Sequence, residues 1–269
     1  MSFRSVLACS VAIAASAFAI TAHASDLASV RAAGVLKALT TGNDKPNVYM
    51  DPSGQPVGFE VDMCNMIAEK LGVKLEIAVL SWEGLLPSIT SGRADMICSS
   101  VNMNKTRAEA FDFTVPYSRS ATIAMVPEGA ADSNDLTGKI VGTVIGADGE
   151  DVVRAVGGFK EVKVYKGPTE VFADFIAGRI EVAVIGDKQA AEFIKSRPGA
   201  AKIVGEPFKV NLVGYPLQKG ASDDLKAAID KIITEARNDG TLKKMAQESF
   251  GLDNYDAALP APGEMPKFD

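Results

Sequence analysis

Residues 61–98 carry the clearest structural pattern of the chain, and they read VDMCNMIAEKLGVKLEIAVLSWEGLLPSITSGRADMIC. Apolar residues recurring on one face predict a helix over residues 61–71. Residues 73–80 then predict a strand, residues 85–90 a second helix and residues 94–98 a second strand. Alternation of strand and helix is typical of parallel βαβ units, so this part of the chain predicts an α/β fold.

The same alternation extends on both sides of this stretch. Residues 35–41 predict an upstream strand, and Asp51-Pro52-Ser53-Gly54 has turn composition. After Pro127 the pattern starts again, and the tail from Ser222 to Phe250 is mainly helical with a break at Asp239-Gly240. Two α/β layers in series, without a low-complexity linker, indicate two lobes joined by short crossings. The later strands are predicted at residues 139–144, 162–165 and 182–185, and the later helices at residues 148–156 and 168–177.

The first residues have the layout of a cleaved export signal. Arg4 precedes an apolar run from Val6 to Ile20, and Ala22-His23-Ala24 places small residues two apart. The run is shorter than the about 20 residues that a membrane span requires. We therefore expect residues 1–24 to be removed near Ala24 and the mature protein to be released into the periplasm.

The overall charge limits the classes of partner. The formal net charge is -6 at pH 7, whereas nucleic-acid binding needs a basic face that neutralises phosphates. We therefore predict no nucleic-acid partner. The 47% of hydrophobic residues is ample for a core, and no segment after the signal has the length and apolarity of a membrane span.

Histidine and cysteine usage excludes several kinds of site. The one histidine, His23, lies in the predicted signal. A mature chain without histidine excludes Ser-His-Asp and Cys-His catalysis and imidazole-bound zinc, and we predict no catalytic residue, no metal site and no cofactor. Cys64 and Cys98 lie in apolar stretches, which favours two separate buried thiols, although an oxidising compartment also permits a disulfide.

Short motifs occur in a fixed order along nearly the whole mature chain. They are Gly58-Phe59-Glu60-Val61-Asp62, Trp82-Glu83-Gly84-Leu85-Leu86-Pro87, Ser91-Gly92-Arg93-Ala94-Asp95, Thr106-Arg107, Phe111-Asp112-Phe113-Thr114 with Pro116-Tyr117, Gly178-Arg179, Gly186-Asp187, Asn238-Asp239-Gly240-Thr241-Leu242 and Phe250-Gly251. Each motif alone is a weak signal, and the ordered set is a strong one. With this set the sequence resembles the polar amino-acid type of periplasmic solute-binding proteins that serve ABC importers.

The resemblance implies a two-lobed type II periplasmic-binding-protein fold, α/β in both lobes, with the ligand in the cleft between them. Lobe one would comprise residues 25–122 and 216–269, and lobe two residues 123–215. The chain would cross between the lobes near residues 121–126 and 211–217, and hinge motion would close the cleft on the ligand. The implied partners are a small amino-acid-like ligand and an inner-membrane ABC permease, and we expect a monomer.

Candidate ligand-binding residues follow one predicted strand of the first lobe. Arg107 supplies a planar guanidinium that stays protonated and matches the two oxygens of an α-carboxylate. Ser99, Ser100 and Asn102 follow the strand predicted at residues 94–98, and ligands of open α/β sheets bind at the carboxyl ends of strands. The alternative for Arg107 is a solvated surface charge, which is the usual environment of arginine.

Two further candidates come from the resemblance. Asp187 follows the strand predicted at residues 182–185 and stands where the family places the partner of an α-ammonium group, although an Asp after a strand is often a helix N-cap. Trp82, the single tryptophan of the chain, stands where the family has an apolar cleft wall. The alternative for Trp82 is a role in the core, because tryptophans are mostly buried.

Two positions depart from the family pattern. In the loop Thr40-Thr41-Gly42-Asn43-Asp44-Lys45-Pro46-Asn47, the family usually has aromatic residues where Asp44 and Asn47 stand. The turn Gly146-Ala147-Asp148 has Asp148 where a threonine is common. We include Thr41, Asp44 and Asp148 among the candidate ligand-binding residues, because extra carboxylates at a cleft attract a cationic ligand group. The alternative is that both carboxylates point to water.

Three functions remain open on the sequence. The leading hypothesis is a binding protein that performs no covalent chemistry. The second is an enzyme similar to cyclohexadienyl dehydratases, which share the implied fold; such chemistry needs a carboxyl general acid with a raised pKa, and Asp148, Glu150 and Glu170 have the right side chain. The third is a sensor or adaptor that presents its closed form to a separate receptor protein.

Overall fold

The computed structural model describes residues 26–133, 135–220, 223–250 and 259–267. This part of the chain contains nine helices and thirteen strands. The helices are α1 (Leu27–Ala33), α2 (Phe59–Leu71), α3 (Trp82–Thr90), α4 (Lys105–Ala110), α5 (Asp148–Val156), α6 (Pro168–Ile176), α7 (Asp187–Ser196), α8 (Asp223–Asn238) and α9 (Thr241–Phe250). The strands are β1 (Val35–Thr40), β2 (Asn43–Asp44), β3 (Val48–Met50), β4 (Pro56–Val57), β5 (Lys74–Val79), β6 (Met96–Ile97), β7 (Phe111–Phe113), β8 (Ser118–Pro127), β9 (Ile140–Val144), β10 (Glu161–Tyr165), β11 (Val182–Gly186), β12 (Ala201–Val213) and β13 (Pro216–Gln218).

The first lobe is built on a parallel sheet in the order β5-β1-β6. The helix α2 packs on this sheet because its apolar face carries Met63, Cys64 and Ile67, which are completely buried. Gly72 ends the helix in the left-handed conformation, where glycine lacks the steric cost of a Cβ atom. The C-terminal helices α8 and α9 pack against the same core. The α/β alternation predicted for this region is confirmed.

The second lobe is built on a five-stranded sheet in the order β10-β9-β11-β8-β12. The strands β10, β9 and β11 are parallel, whereas β8 and β12 are antiparallel additions. The helices α5, α6 and α7 connect or follow the parallel strands and cover the sheet. Apolar clusters form around Phe175 and Phe193 and around Val141 and Val184. A mostly parallel sheet in each lobe confirms the predicted fold class.

Two long strands connect the lobes. The strand β8 leaves the first lobe at Ser118, and β12 returns to it at Val213; these two residues pair with each other at one end of the ladder. After β12, β13 pairs with β7 in the first lobe. Residues 121–126, the first predicted crossing, lie on β8, and residues 211–217, the second, run from the end of β12 into β13.

A small three-stranded sheet, β2-β3-β4, was not predicted from the sequence. It shapes the segment that the sequence presents as a loop, and the predicted turn at residues 51–54 joins β3 to β4. The backbone N–H of Gly54 donates to the carbonyl of Asp51 at 3.0 Å, which confirms that turn. The strands are too short to show a periodic pattern, so only the turn residues predict them.

Cys64 and Cys98 form a disulfide, and the prediction of two separate thiols was therefore wrong. Cys64 lies on the buried face of α2, and Cys98 follows β6 in the sheet beneath that helix. Packing of the helix on the sheet brings their Cα atoms to 6.3 Å, within the range that a disulfide spans. Burial in an apolar stretch is compatible with a disulfide between the two cysteines. The sequence alone does not show that their Cα atoms lie this close together.

Within the described ranges, no helix combines the length and apolarity that crossing a bilayer requires. The predicted export signal at residues 1–24 and the residue Ser222 lie outside the described residues.

Candidate ligand-binding cavity

A cavity of about 100 Å³ lies between the two lobes, where several parallel strands end. Thr41 follows β1, Ser100 follows β6, Asp148 follows β9 and Asp187 follows β11. The carboxyl ends of strands from both sheets therefore meet at one place, which is where open α/β sheets bind ligands. Eight of the predicted residues line this cavity: Thr41, Asp44, Trp82, Ser100, Asn102, Arg107, Asp148 and Asp187.

Arg107 is held at the cavity by backbone carbonyl groups rather than by a carboxylate. It lies on α4, whose N-cap Asn104 accepts a hydrogen bond from the Arg107 backbone N–H at 2.8 Å. Its Nη1 donates to the carbonyl of Asn102 at 2.8 Å, and its Nη2 donates to the carbonyl of Gly146 at 3.3 Å. Burial lowers the pKa of the guanidinium. Since a guanidinium has five N–H donors, three have no partner among the described residues and are available to a ligand.

Asp187 begins α7 on the opposite side of the cavity. Its Oδ1 accepts from the backbone N–H groups of Ala121 at 3.1 Å and Lys188 at 2.9 Å. Its Oδ2 lies 3.5 Å from the guanidinium of Arg119, which stands on β8. Asp187 therefore ties α7 to the strand that connects the lobes, while its carboxylate remains on the cavity wall.

Asp148 is the most enclosed carboxylate of the cavity, with 4% of the residue exposed. It accepts hydrogen bonds from the side-chain amides of Asn102 and Asn211, and it pairs with the Lys209 ammonium at 3.0 Å. The Oδ1 of Asn102 in turn accepts from the hydroxyl of Ser120. Asp148 thus joins α5 to both connecting strands and to the first lobe, and its negative charge also suits the positive end of the α5 dipole.

Asp44 lies on β2 and faces the cavity from the unpredicted small sheet. Its Oδ1 accepts from the amide of Gln189 across the cavity, and its Oδ2 accepts from the amide of Asn47 at 3.2 Å. Burial raises the pKa of the Asp44 carboxyl to about 6, against the effect of these hydrogen bonds and of the Lys188 charge. Asp44 is therefore ionised at neutral pH and titrates in a mildly acidic range.

Trp82 and Ser99 differ in their position. Trp82 is half-buried on the cavity wall, and its Nε1 donates to the carbonyl of Gly146 at 3.1 Å. Ser99 is completely buried behind the wall, where its hydroxyl contacts that of Thr40 at 3.0 Å and accepts from the backbone N–H of Thr41. The structure therefore places Ser99 one layer away from the cavity, as a support for Thr41 rather than a residue that faces the ligand.

Contacts across the cavity join the two lobes directly. The Gly146 carbonyl accepts from both Trp82 and Arg107. Outside the cavity, Lys45 and Glu192 form an ion pair at 2.9 Å. Together with the Asp44–Gln189 hydrogen bond, these contacts define a closed arrangement of the cleft.

Several cavity residues were not predicted. Lys188 is 6% exposed; its Nζ donates to the Ser118 hydroxyl at 2.7 Å and lies 4.5 Å from the centre of the Phe250 ring. In sequence, a lysine beside an Asp at a helix start is indistinguishable from a solvated one. Asn47 was visible as a departure from the family pattern. Asn43, Thr143 and Gln189 carried no sequence signal.

Of the three carboxyl groups that the sequence offers as dehydratase acids, two lie away from the cavity. Glu150 and Glu170 do not line it, and Glu150 is occupied by the Gly146 backbone N–H at 2.7 Å and by Arg154. These bonds lower the pKa of Glu150, whereas a general acid needs a raised one. Asp148 does line the cavity but is paired with Lys209. Within the described ranges, no group of three or more His, Cys, Asp or Glu side chains is arranged to hold a metal ion.

A buried carboxyl group lies below the cavity, in the core of the first lobe. Glu60 is 1% exposed, and its Oε2 accepts from the hydroxyls of Tyr117 and Tyr215, both at 2.8 Å. Burial raises the pKa of Glu60 from 4.5 to about 7. Because this pKa is higher in the folded state, the folded state takes up a proton first, and its stability increases as the pH falls from about 7 towards 4.5.

We predict that Glu60→Gln flattens the dependence of stability on pH. In the wild type, Glu60 contributes a gain of about 3 kcal/mol on acidification from pH 8 to pH 5, and Asp44 contributes in the same direction. Glutamine keeps an acceptor for the tyrosines but removes the titration. Urea unfolding at both pH values measures the effect, with Glu76→Gln on exposed β5 as the control. An unchanged pH dependence in Glu60→Gln would contradict this assignment.

The fold and the cavity together define a class: a two-lobed solute-binding protein whose ligand site lies between the lobes. Residues 36–252 match the family model of the bacterial extracellular solute-binding proteins, family 3, and the chain belongs to that family. This membership confirms the resemblance identified from the motifs.

Known relatives and solved structures agree with this family. The L-cystine-binding protein TcyJ of Escherichia coli K12 is 29% identical over 231 residues, which cover 84% of this chain and 86% of that protein. The putative amino-acid ABC transporter-binding protein PatH of Vibrio harveyi is 27% identical over 241 residues, covering 87% and 96%. Among solved structures, an ancestral arginine-binding protein bound to glutamine has a TM-score of 0.75 and 31% identity, covering 81% of this chain and 99% of that one.

Proposed function

We propose that this protein is the binding component of an ABC importer and captures a free amino acid in the cavity between its lobes. The observation that carries this proposal is the pair Arg107 and Asp187, which come from different lobes and line one cavity. The named relatives, which include a cystine-binding and an arginine-binding protein, support the amino-acid class. The relatives named above are binding proteins by name, in agreement with the leading sequence hypothesis.

The two charged groups suit the two ends of an amino acid. The three free N–H donors of Arg107 accommodate an α-carboxylate in the bidentate geometry that guanidinium groups favour. The α-ammonium group approaches the Asp187 carboxylate beside Arg119 and donates a hydrogen bond to it. Ser100 and Asn102 stand next to Arg107 at the carboxyl end of β6 and complete the polar surface around the ligand. A single zwitterion bound in this way holds both lobes together.

The connecting strands supply the hinge in this proposal. We assign residues 25–122 and 216–269 to lobe one and residues 123–215 to lobe two, so that β8 and β12 carry both crossings. Bending of this two-stranded ladder separates the lobes and opens the cavity to solvent. Opening breaks the Lys45–Glu192 ion pair and the hydrogen bonds to Gly146, and closure on a bound amino acid forms them again.

The cellular setting follows from the same proposal. An export signal at residues 1–24 places the mature chain in the periplasm, where it meets its ligand as a monomer. The closed, liganded form is then the one presented to an inner-membrane permease.

A ligand screen tests the proposed function. We expect the mature protein to be stabilised against thermal unfolding by one or a few of the proteinogenic amino acids, since a ligand at 100 times its Kd adds about 2.7 kcal/mol. Because Trp82 is the single tryptophan and lines the cavity, its fluorescence reports the same binding. Recovery of the ligand unchanged supports transport. Stabilisation and consumption of prephenate, without stabilisation by any amino acid, would contradict the proposal.

A further inference from the structure

Buried polar groups without a hydrogen-bond partner in the described ranges lie at the cavity, and one of them, the Thr143 hydroxyl, belongs to β9. The hydroxyl of Thr41 and the Oδ1 of Asn47 are buried and have no hydrogen-bond partner among the residues that the structure describes. Both residues line the cavity and are almost fully enclosed, at 3% and 4% exposure. Leaving buried polar groups unpaired is costly, so these atoms indicate that a ligand supplies their partners.

The orientation of the Asn47 amide is fixed by Asp44. The Nδ2 of Asn47 donates to the Asp44 carboxylate at 3.2 Å, and an ionised carboxylate accepts hydrogen bonds only. The Oδ1 of Asn47 is therefore left as an acceptor beside the Asp44 carboxylate. Thr41, Asp44 and Asn47 form one acceptor-rich surface, which we call the 41–47 surface.

Asp44 also differs from the other two carboxylates of the cavity. Asp148 is paired with Lys209 and Asp187 with Arg119. In the described part of the chain, the hydrogen-bond donors to the Asp44 side chain are the neutral amides of Asn47 and Gln189. Among the described residues Asp44 therefore forms no ion pair, although the Lys188 ammonium lies within electrostatic range of it, and a carboxylate has room for further donors.

We propose that the 41–47 surface binds a protonated nitrogen at the side-chain end of the ligand, so that the substrates are amino acids with a second, cationic group. This inference rests on the proposed capture of an amino acid by Arg107 and Asp187. Ammonium and guanidinium groups donate hydrogen bonds and accept none, which matches the Asp44 carboxylate, the Asn47 amide oxygen and the lone pairs of the Thr41 hydroxyl on the wall of one cavity. The position of Asp44, where the resembling family has an aromatic residue, makes it the specificity-determining residue of this site.

The charges around Asp44 give the expected pH dependence. Lys188 of α7 faces Asp44 and lowers its pKa, Glu60 of α2 lies within electrostatic range of it, and Lys45 of its own loop is paired with Glu192. With a pKa of about 6, Asp44 loses its charge as the pH falls below neutral. We expect the affinity for L-arginine to fall about tenfold from pH 7.5 to pH 5, with a smaller change for L-citrulline.

Matched pairs of amino acids test the proposal. L-Arginine and L-citrulline have nearly the same shape, as do L-lysine and L-norleucine, and each pair differs in side-chain charge. Titration calorimetry at pH 7.5 is expected to show that the wild type prefers the charged member of at least one pair by tenfold or more. In Asp44→Asn the ratio of the two affinities falls to about one, whereas Asp44→Glu retains a preference for the charged member.

The variant Asp187→Asn separates this proposal from the proposed function. The affinity of this variant is expected to fall by a similar factor for both members of a pair, because Asp187 faces the α-ammonium group that they share. Two results overturn the inference about the 41–47 surface and leave the proposed function standing. One is that amino acids bind without a preference for a cationic side chain, and the other is that the preference persists in Asp44→Asn. Failure of every amino acid to bind the wild type overturns the proposed function and this inference with it. Circular dichroism confirms that each variant is folded.

Discussion

Replacing Arg107 by alanine is expected to reduce the affinity for an amino-acid ligand by at least about a hundredfold, equivalent to about 3 kcal/mol. The α-carboxylate would remain in a partly buried cavity without its charged partner, and an unpaired buried charge is more costly than the net value of the pair. Calorimetry and Trp82 fluorescence, with an amino acid that binds the wild type, measure this loss.

Among the described residues, no other cation at the cavity is placed to substitute for Arg107. Lys166 is exposed at the rim, and Lys188 directs its ammonium to Ser118 behind the cavity wall. Arg119 is already beside Asp187. The fold is expected to tolerate the change, since Arg107 donates its side-chain hydrogen bonds to two carbonyls that solvent can reach once the side chain is removed.

Two further variants show whether the geometry of Arg107 or only its charge is required. Arg107→Lys keeps the charge but lacks the planar pair of donors, so an intermediate loss of about tenfold is expected. Arg93→Ala removes an exposed arginine in the α3–β6 turn and is expected to leave the affinity unchanged. Full affinity in Arg107→Ala would remove the carboxylate clamp from the proposed mechanism.

The positions of Arg107 and Asp187 were predictable because they depend on local order in the chain. Each follows a buried strand, and the carboxyl ends of parallel strands meet at one edge of a sheet. The same strand-end argument led to Ser100 and Asn102, and the departure from the family pattern led to Asp148; all three line the cavity. The strand-end argument failed for Ser99 because successive residues after a strand point in opposite directions, and only one of the two serines faces the cavity.

The partners of these residues were not predictable, because they come from distant parts of the chain. Lys209 and Asn211 reach Asp148 only after β12 returns along β8. The disulfide between Cys64 and Cys98 likewise depends on how α2 lies on its sheet. Such long-range contacts decide whether the charge of an acidic residue is neutralised by a neighbour, as for Asp148, or remains available, as for Asp44.

Replacing Gly58 by alanine is expected to destabilise the protein by roughly 3 kcal/mol or more. Gly58 precedes α2 with φ 118° and ψ 179°, a backbone conformation that side chains with a Cβ atom rarely adopt. A Cβ atom at this position would lie 2.7 Å from the carbonyl oxygen of Asn47 and 2.9 Å from that of Pro46. Both obstacles are backbone atoms, so the strain cannot be relieved by a change of side-chain rotamer.

The same substitution is expected to weaken ligand binding in the fraction that folds. The Asn47 carbonyl accepts from the Glu60 backbone N–H at 3.0 Å, and this bond fixes the segment that carries Asp44 and Asn47 against α2. Displacing that segment moves the 41–47 surface, so L-arginine should lose more affinity than L-citrulline.

Gly54→Ala is the matched control for the change at Gly58. Gly54 also has a positive φ, of 79°, but a Cβ atom there would meet nothing within 4 Å, so only the backbone cost of about 1–2 kcal/mol is expected. Thermal unfolding followed by circular dichroism compares the two variants. Since the difference between them isolates the clash with residues 46 and 47, equal melting temperatures would show that the segment beside the cavity yields freely and that Gly58 does not hold it in place.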